Sequence, residues 1–424
     1  MSISFSQYCT AILVIILLGF VRSYIYKFLF IRDVTIQDYS FFGYHAAGSQ
    51  GGDRCREIND MRRRKRVGDC SPPYPNCWYA VGESDQVKQG QIKEVYALGH
   101  ELIVWRGYSD KIFVSGAYCP HLGAHIGTGG TVVGADCIRC PFHHWSFNGS
   151  TDGKVHHIPY TQGKVPDSVK LTMWTSTEAS GSIWIWYHAD KEEPSYYPRD
   201  LEQIRNGEWV CKATASNTVT CHFQEIPENA ADVSHLNALH GDKVSPAFAR
   251  RKSEPLPCLR WEFIRHVFSA TWKKKEDPTR KHEYYFDGTH HIELFKKWKL
   301  FPRELHGRNV GPSQSFLHFD TIFGKAVLVI TVTPQEPHLQ LVTQKIYASR
   351  WFPQIIANIA MRTQQDQFQR DIGVWNRKMY IANPPLVKED MHIKEFRRYM
   401  LQFYSKSSLP CQYKLKLEKG LLDF

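Results

Sequence analysis

Two short boxes of cysteine and histidine, Cys119-Pro120-His121 and Cys140-Pro141-Phe142-His143, stand eighteen residues apart in this 424-residue chain. Each box supplies one thiolate and one imidazole, so the fold must bring two tight loops together over a metal. Zinc fingers pair two cysteines first and two histidines later, with the histidines on a helix. The segment between these boxes is instead rich in glycine (Gly127, Gly129, Gly130 and Gly134) and in β-branched residues. That composition predicts tight turns and short strands.

Two thiolates on one iron and two imidazoles on the other are the ligand set of a Rieske [2Fe-2S] centre. On this reading Cys119 and Cys140 hold one iron, and His121 and His143 hold the other. The competing reading is a zinc knuckle that recruits Cys137 through the pair Cys137-x-x-Cys140.

A cluster that only delivers electrons requires a second site for chemistry, and residues 228–240, ENAADVSHLNALH, offer one. His235 and His240 are five apart, with Asp232 three before the first. On an ideal helix five residues leave the two side chains about 140° apart, so a distorted helix with a π-bulge is expected. Non-haem Fe(II) sites hold the metal with two histidines and one carboxylate and leave positions open for dioxygen. The helical pattern MRTQQDQFQRDIGVWNRK offers Asp366 and Asp371 as the carboxylate. With Phe368 at the centre of the apolar face, Met361, Ile372 and Trp375 lie within about 40° of it, Asp371 at about 60° and Asp366 at about 160°. A carboxylate bordering an apolar face is costly unless it is paired or metal-bound. Asp371 is therefore the expected ligand, and a buried salt bridge to Arg377 or Arg362 is its structural alternative.

From Trp78 to about Tyr380 the chain resembles a Rieske non-haem iron oxygenase α subunit, with WYAVG, GHELIVWRG, CPHLGAHIGTGG, CPFHHW, the Asn229-x-x-Asp232-x-x-His235-x4-His240 run and DIGVW in order. The resemblance implies that Asp232 bridges the two metal sites, that Asn229 lies near the iron, and that the subunits form a homotrimer. Ala124, Phe142 and Trp145 stand where the cytochrome-complex type carries disulfide cysteines and a serine, so a low cluster potential is implied. The chain departs from the oxygenases at His144, where they usually have glycine. The style of CPFHHW and DIGVWNRK, behind an apolar N-terminus, is similar to the Neverland-type cholesterol 7-desaturases. That likeness implies conversion of cholesterol to 7-dehydrocholesterol with O2, at the head of steroid hormone synthesis. A steroid hydroxylase of the same family, or a Rieske electron-transfer protein, are the alternatives.

Ser2 to Val21 carries no charge, and its part from Thr10, TAILVIILLGFV, is almost wholly apolar, so these twenty residues can just span a bilayer. Basic residues follow it, including RRRKR, which places the body in the cytosol by the positive-inside rule. An endoplasmic reticulum membrane is the expected location. The net charge of +11 is concentrated in such clusters. No nucleic-acid motif accompanies them, so nucleic acid is not an expected partner. Beyond Cys119 and Cys140, the other nine of the eleven cysteines show no framework spacing, which suits a reducing compartment.

The expected fold class is α+β: an N-terminal transmembrane helix, an all-β Rieske domain, then an α+β mononuclear-iron catalytic domain. The boundaries fall at 1–32 for the anchor, 33–72 for a basic linker, 73–190 for the Rieske domain, 191–410 for the catalytic domain and 411–424 for a tail. No Gly-x-Gly-x-x-Gly follows a strand, so electrons from NAD(P)H must arrive through a separate reductase or ferredoxin.

Overall fold

The strand Cys77–Glu83 (CWYAVGE) enters an all-β domain and pairs antiparallel with Ser182–Tyr187, the strand on which the domain closes. This computed structural model describes residues 68–163, 168–241 and 264–410, together with residues 19, 21–22, 26 and 32–35. A four-stranded sheet of Ile92–Ala97, His100–Arg106, Ile112–Gly116 and Met173–Trp174 packs beside a second one, of Thr131–Val133, Cys137–Arg139, Ser146–Asn148 and Lys154–His157. The first cysteine and histidine box lies on the connection from Ile112–Gly116 to the second sheet, and the second box lies between Cys137–Arg139 and Ser146–Asn148. Ile103, Trp105, Phe113, Ile138 and Phe147 form the core under the second sheet.

The C-terminal domain is α+β. Its seven antiparallel strands run in the order Trp209–Val219, Leu339–Ser349, Gly324–Glu336, Gln314–Thr321, Trp298–Val310, Glu283–Leu294 and Ile264–Lys274. The long helix Gln354–Trp375 lies on one face of this sheet, and the shorter Met391–Met400 covers Trp272 and Tyr284 on the same face. Ala357, Met361, Phe368, Ile372 and Trp375 are its buried apolar positions. They are interleaved with buried Gln365 and Gln369, which the apolar period alone does not reveal.

The two domains share a core in which Trp78, Tyr79 and Trp184 meet Phe223, Val332 and Val342. The hairpin turn Leu98-Gly99 has both residues at positive φ, as a two-residue hairpin requires. Its N–H groups donate to the Pro334 and Gln335 carbonyls at 2.7 and 2.8 Å, so the tip is moored to the large sheet. Lys345 pairs with Glu83 across the same boundary.

Val34 donates its N–H to the Thr214 carbonyl, and Thr214 donates back to Arg32, so a short N-terminal stretch lines the edge strand Trp209–Val219. Among the described residues no helix is long and apolar enough to cross a membrane. The run from Thr10, expected to be an anchor, falls almost wholly outside the described residues, as do most of the basic linker and the 411–424 tail.

The helical turn Glu225–Glu228 leads into the residues expected to bind iron and is held by two ion pairs, Lys378 with Glu225 at 3.4 Å and Arg397 with Glu228. Arg397 grips buried Glu228 through two parallel bonds of 2.8 and 3.0 Å and also donates to the Ile381 and Ala382 carbonyls. Arg397→Met leaves that buried carboxylate without its countercharge, with the Gln224 amide as its remaining side-chain donor at 3.3 Å, so we expect a loss of about 3 kcal/mol in denaturant unfolding. Glu228→Gln in the same chain should restore part of it.

Candidate iron centres

Both cysteine and histidine boxes are built on one local pattern. Cys119 donates its N–H to the Ala124 carbonyl at 2.9 Å, and Cys140 donates to Trp145 at 2.8 Å, each closing a loop onto the residue five further on. The residue four after each cysteine is left-handed: Gly123 at φ 71° and His144 at φ 59°. This explains why a glycine suits the second position as well as the first. His144 adopts at a cost a conformation that glycine takes freely.

Cys119 and Cys140 are both buried and their sulfurs are within hydrogen-bonding reach of each other. Burial first, with the Cys140 sulfur adding to it, pushes the Cys119 thiol up to about 11. A cation would reverse that preference by drawing off the proton. His121 and His143 form the other half, with ring centroids 4.8 Å apart at 74°. Trp145 stacks on His121 at 4.4 Å and ties its indole N–H to the Tyr160 hydroxyl. His144 is exposed. A sulfur pair beside an imidazole pair matches the two unlike ends of a binuclear cluster. Cys137 sits on the strand Cys137–Arg139, paired with Val133 and Asn148, rather than in either loop.

Among the described residues two groups draw three donor atoms within 4.8 Å of one another: His235, His240 and Asp371, and the trio His188, Asp190 and Glu192. The second is a local turn. The Asp190 and Glu192 N–H groups donate to His188 Nδ1 at 3.3 and 3.4 Å, which leaves the proton on Nε2, facing Glu192.

The first group joins two helices. Asp232 caps the helix Val233–His240, its carboxylate accepting the His235 N–H at 3.2 Å. His235 Nδ1 donates to the Asp232 carbonyl, leaving its Nε2 lone pair free on the other side of the ring. Asp371 projects from the Gln354–Trp375 helix with Oδ1 at 3.2 Å from His240 Nε2 and 4.0 Å from His235 Nε2. All three have little contact with water, His240 at 3% exposure and Asp371 at 8%. Two imidazole nitrogens and one carboxylate oxygen at this spacing fit the donor set of a ferrous site. The ion pairs of Asp371 are with these histidines, while Asp366 is half-buried.

The distorted helix expected from the five-residue spacing is absent. Val233–His240 is α-helical throughout, and Gly241 donates to Asn237 in the ordinary way at 3.1 Å. The rings converge because His235 sits in the first turn, held back toward Asp232, and His240 ends the last. Asn229 lies half-buried after the Glu225–Glu228 turn, and among the described residues its side chain makes no hydrogen bond to the trio. The Asp232 carboxylate is one-third exposed.

Two further devices position this site. Asn217 donates to Gln365 at 2.7 Å and accepts from Gln369 at 2.7 Å, and Gln365 donates to Gln344 at 3.0 Å, so a buried amide ladder sets the rotation of the Asp371 helix. Asn237 exchanges two bonds with the Phe268 backbone, at 2.8 and 2.9 Å, and moors the histidine helix to the strand Ile264–Lys274. An Asn in the middle of an eight-residue histidine helix was the signal available for the second. The first has no local signal.

Residues 77–172 match the model of the Rieske [2Fe-2S] domain, and residues 185–404 match that of the 3-ketosteroid 9alpha-hydroxylase C-terminal domain. The chain is 40% identical to the cholesterol 7-desaturase nvd of Xenopus laevis over 85% of its own length and 78% of that protein. It is 36% identical to the cholesterol 7-desaturase of Caenorhabditis elegans, covering 85% and 83%. Among solved structures, dicamba monooxygenase bound to 3,6 dichlorosalicylic acid superposes with a TM-score of 0.54 at 14% identity, over 78% of this chain and 98% of that one. That likeness is one of fold.

The two adjacent histidines of the second box should separate cleanly. His143→Ala should abolish the visible absorption and the reduced electron paramagnetic resonance signal of the cluster. His144→Gly should keep both and raise the melting temperature by relieving the left-handed strain.

Proposed function

Since the chain belongs to the cholesterol 7-desaturase family of Rieske-type oxygenases, we propose that it removes one hydrogen from C7 and one from C8 of cholesterol to give 7-dehydrocholesterol. What carries this reading is the 40% identity to a named cholesterol 7-desaturase across most of the chain, together with a buried His-His-Asp trio. His235, His240 and Asp371 would hold iron, and Cys119, His121, Cys140 and His143 would hold the [2Fe-2S] cluster. Iron at the trio supplies the oxidising power, drawn from O2 and two electrons, by which the sterol loses its hydrogens.

The chain's own residues prepare that site. The Asp232 carbonyl fixes the tautomer of His235, and the amide ladder aims Asp371 between the two imidazoles. Burial strengthens the attraction of the Asp371 carboxylate for a cation. Electrons come from NAD(P)H through a separate reductase or ferredoxin. We read the assembly as a head-to-tail homotrimer in which the cluster of one subunit serves the iron of its neighbour, with the Asp232 carboxylate between them. A heterologous interface of this kind closes into a ring. Asn229 lines the iron site on this reading, and residues 1–32 tether the body to the cytosolic face of the endoplasmic reticulum membrane.

Sterols extracted from cells given cholesterol and expressing the chain should contain 7-dehydrocholesterol by mass spectrometry, and Asp371→Asn should reduce it at least a hundredfold. A 7-hydroxylated product in its place would make the chain a hydroxylase. Cys119→Ser and His235→Ala should each be inactive alone and recover part of the turnover when co-expressed. No recovery in oligomers shown to be mixed would argue for electron transfer within one subunit.

Topology has its own reporter in Asn148-Gly149-Ser150, an acceptor sequon for N-glycosylation. The Asn148 side chain accepts the Ser150 N–H at 2.8 Å in a turn beside the cluster loops. A cytosolic body keeps it unmodified, so treatment with a glycosidase should leave the mass unchanged. A shift that disappears in Asn148→Gln would reverse the orientation.

A further inference from the structure

Residues directly opposite one another on antiparallel strands share a face of the sheet. The face turned toward the Asp371 helix can be followed in register from Gln344 and Ile346 through Ile330 and Leu328, then Ser315 and Leu317, then Gly307 to Phe286 and Trp272. Two residues at a time, the same face continues along the last two strands to Gly288 and His290, and to Phe268 and His266. Phe268, Phe286, Leu305, Leu317 and Phe319 on it are only half-buried, although the face lies under the helices. Gly288 and Gly307 add no side chain to it. The opposite face carries the charged network of Asp287, Glu304, His306 and Arg308.

Polar groups interrupt this apolar face at one end. His266 Nδ1 and His290 Nε2 are 2.8 Å apart, Phe268 packs against His290 with centroids at 4.6 Å, and Arg303 stands opposite His290 in register. The pair adjoins the histidine helix: the His266 N–H donates to the Gly241 carbonyl at 2.8 Å, one residue beyond His240, and Asn237 holds Phe268. Burial pushes His290 down to about 3 and lowers His266 as well, so both rings are neutral.

A neutral pair that shares one hydrogen bond has one proton left and one lone pair left on its two outer nitrogens, His266 Nε2 and His290 Nδ1. The pair has two neutral tautomeric arrangements, which differ in the placing of both the shared and the outer proton, and donor and acceptor exchange between them. A hydroxyl both donates and accepts, so it is matched in either arrangement. In a sterol the hydroxyl stands on the ring next to the one that contains C7, and the rest of the nucleus is rigid and apolar. A group that fixes the hydroxyl therefore also fixes the distance from C7 to the iron ligands.

We propose that the His266–His290 pair recognises the 3-hydroxyl of the sterol, whose nucleus lies over the apolar face bearing Phe286, Leu305 and Leu317. This assignment rests on the sterol reading above. It makes the pair the specificity-determining contact of the site, separate from the iron ligands.

Equilibrium binding of radiolabelled cholesterol and of cholest-5-ene, which lacks only the hydroxyl, to the iron-loaded full-length protein in detergent tests it. The wild type should bind cholesterol roughly tenfold more tightly, the worth of about one buried hydrogen bond. His266→Phe/His290→Phe should bind the two alike while its cluster spectrum and iron content stay unchanged. His290→Gln, on the strand next to the one that moors the histidine helix, should retain part of the preference. A double variant that keeps the full preference, or a wild type that shows none, overturns the assignment. A wild type that prefers cholesterol in binding yet leaves it unoxidised supports the pair and overturns the proposed desaturation instead.

Discussion

The buried amide ladder of Gln344, Gln365, Asn217 and Gln369 decides where the carboxylate of the candidate iron site stands. Each of these side chains is almost sealed from water, and a buried amide without a partner costs about 1–3 kcal/mol. Apolar packing would tolerate a small rotation of the Gln354–Trp375 helix against the sheet. The ladder does not, because several bonds would break together. Asp371 lies two residues beyond Gln369 on the same helix, so the azimuth that satisfies the amides is the one that aims its oxygen at His240 and His235.

The cluster domain shows the same economy at its boundary. Its first strand and the Leu98-Gly99 tip bond to the large sheet, and the aromatic core passes from one domain into the other. Within the domain, two loops with matching closing bonds present the cysteines together and the histidines together. The iron-facing elements of the large domain are fixed independently, by Arg397 on Glu228 and by Asn237 on the edge strand.

Much of this was legible in residue type and spacing. The boxes mark two matched loops because cysteine, proline and histidine at short range leave little other use. The apolar period around Phe368 located the buried side of the long helix, with Asp371 at its border. The glutamines of that buried side were not legible, because their partners lie on strands about 150 and 20 residues away in sequence. The five-residue spacing of His235 and His240 misled in the other direction. Angular arithmetic assumes side chains that point straight out, whereas the tie of His235 to the Asp232 carbonyl swings its ring within reach. The His266–His290 contact follows from strand register, which no local pattern specifies. His144 shows the converse, a residue whose strain becomes readable only when the two loops are laid over one another.

The mooring of the histidine helix has a consequence for solubility. Ile264–Lys274 ends the sheet, and an exposed terminal strand is a template for joining another chain. Asn237 occupies the backbone donor and acceptor of Phe268, and Gly241 accepts from His266, so the helix that holds two metal donors also blunts this edge. The placing of the histidine helix and the protection of the sheet edge are therefore coupled through one asparagine.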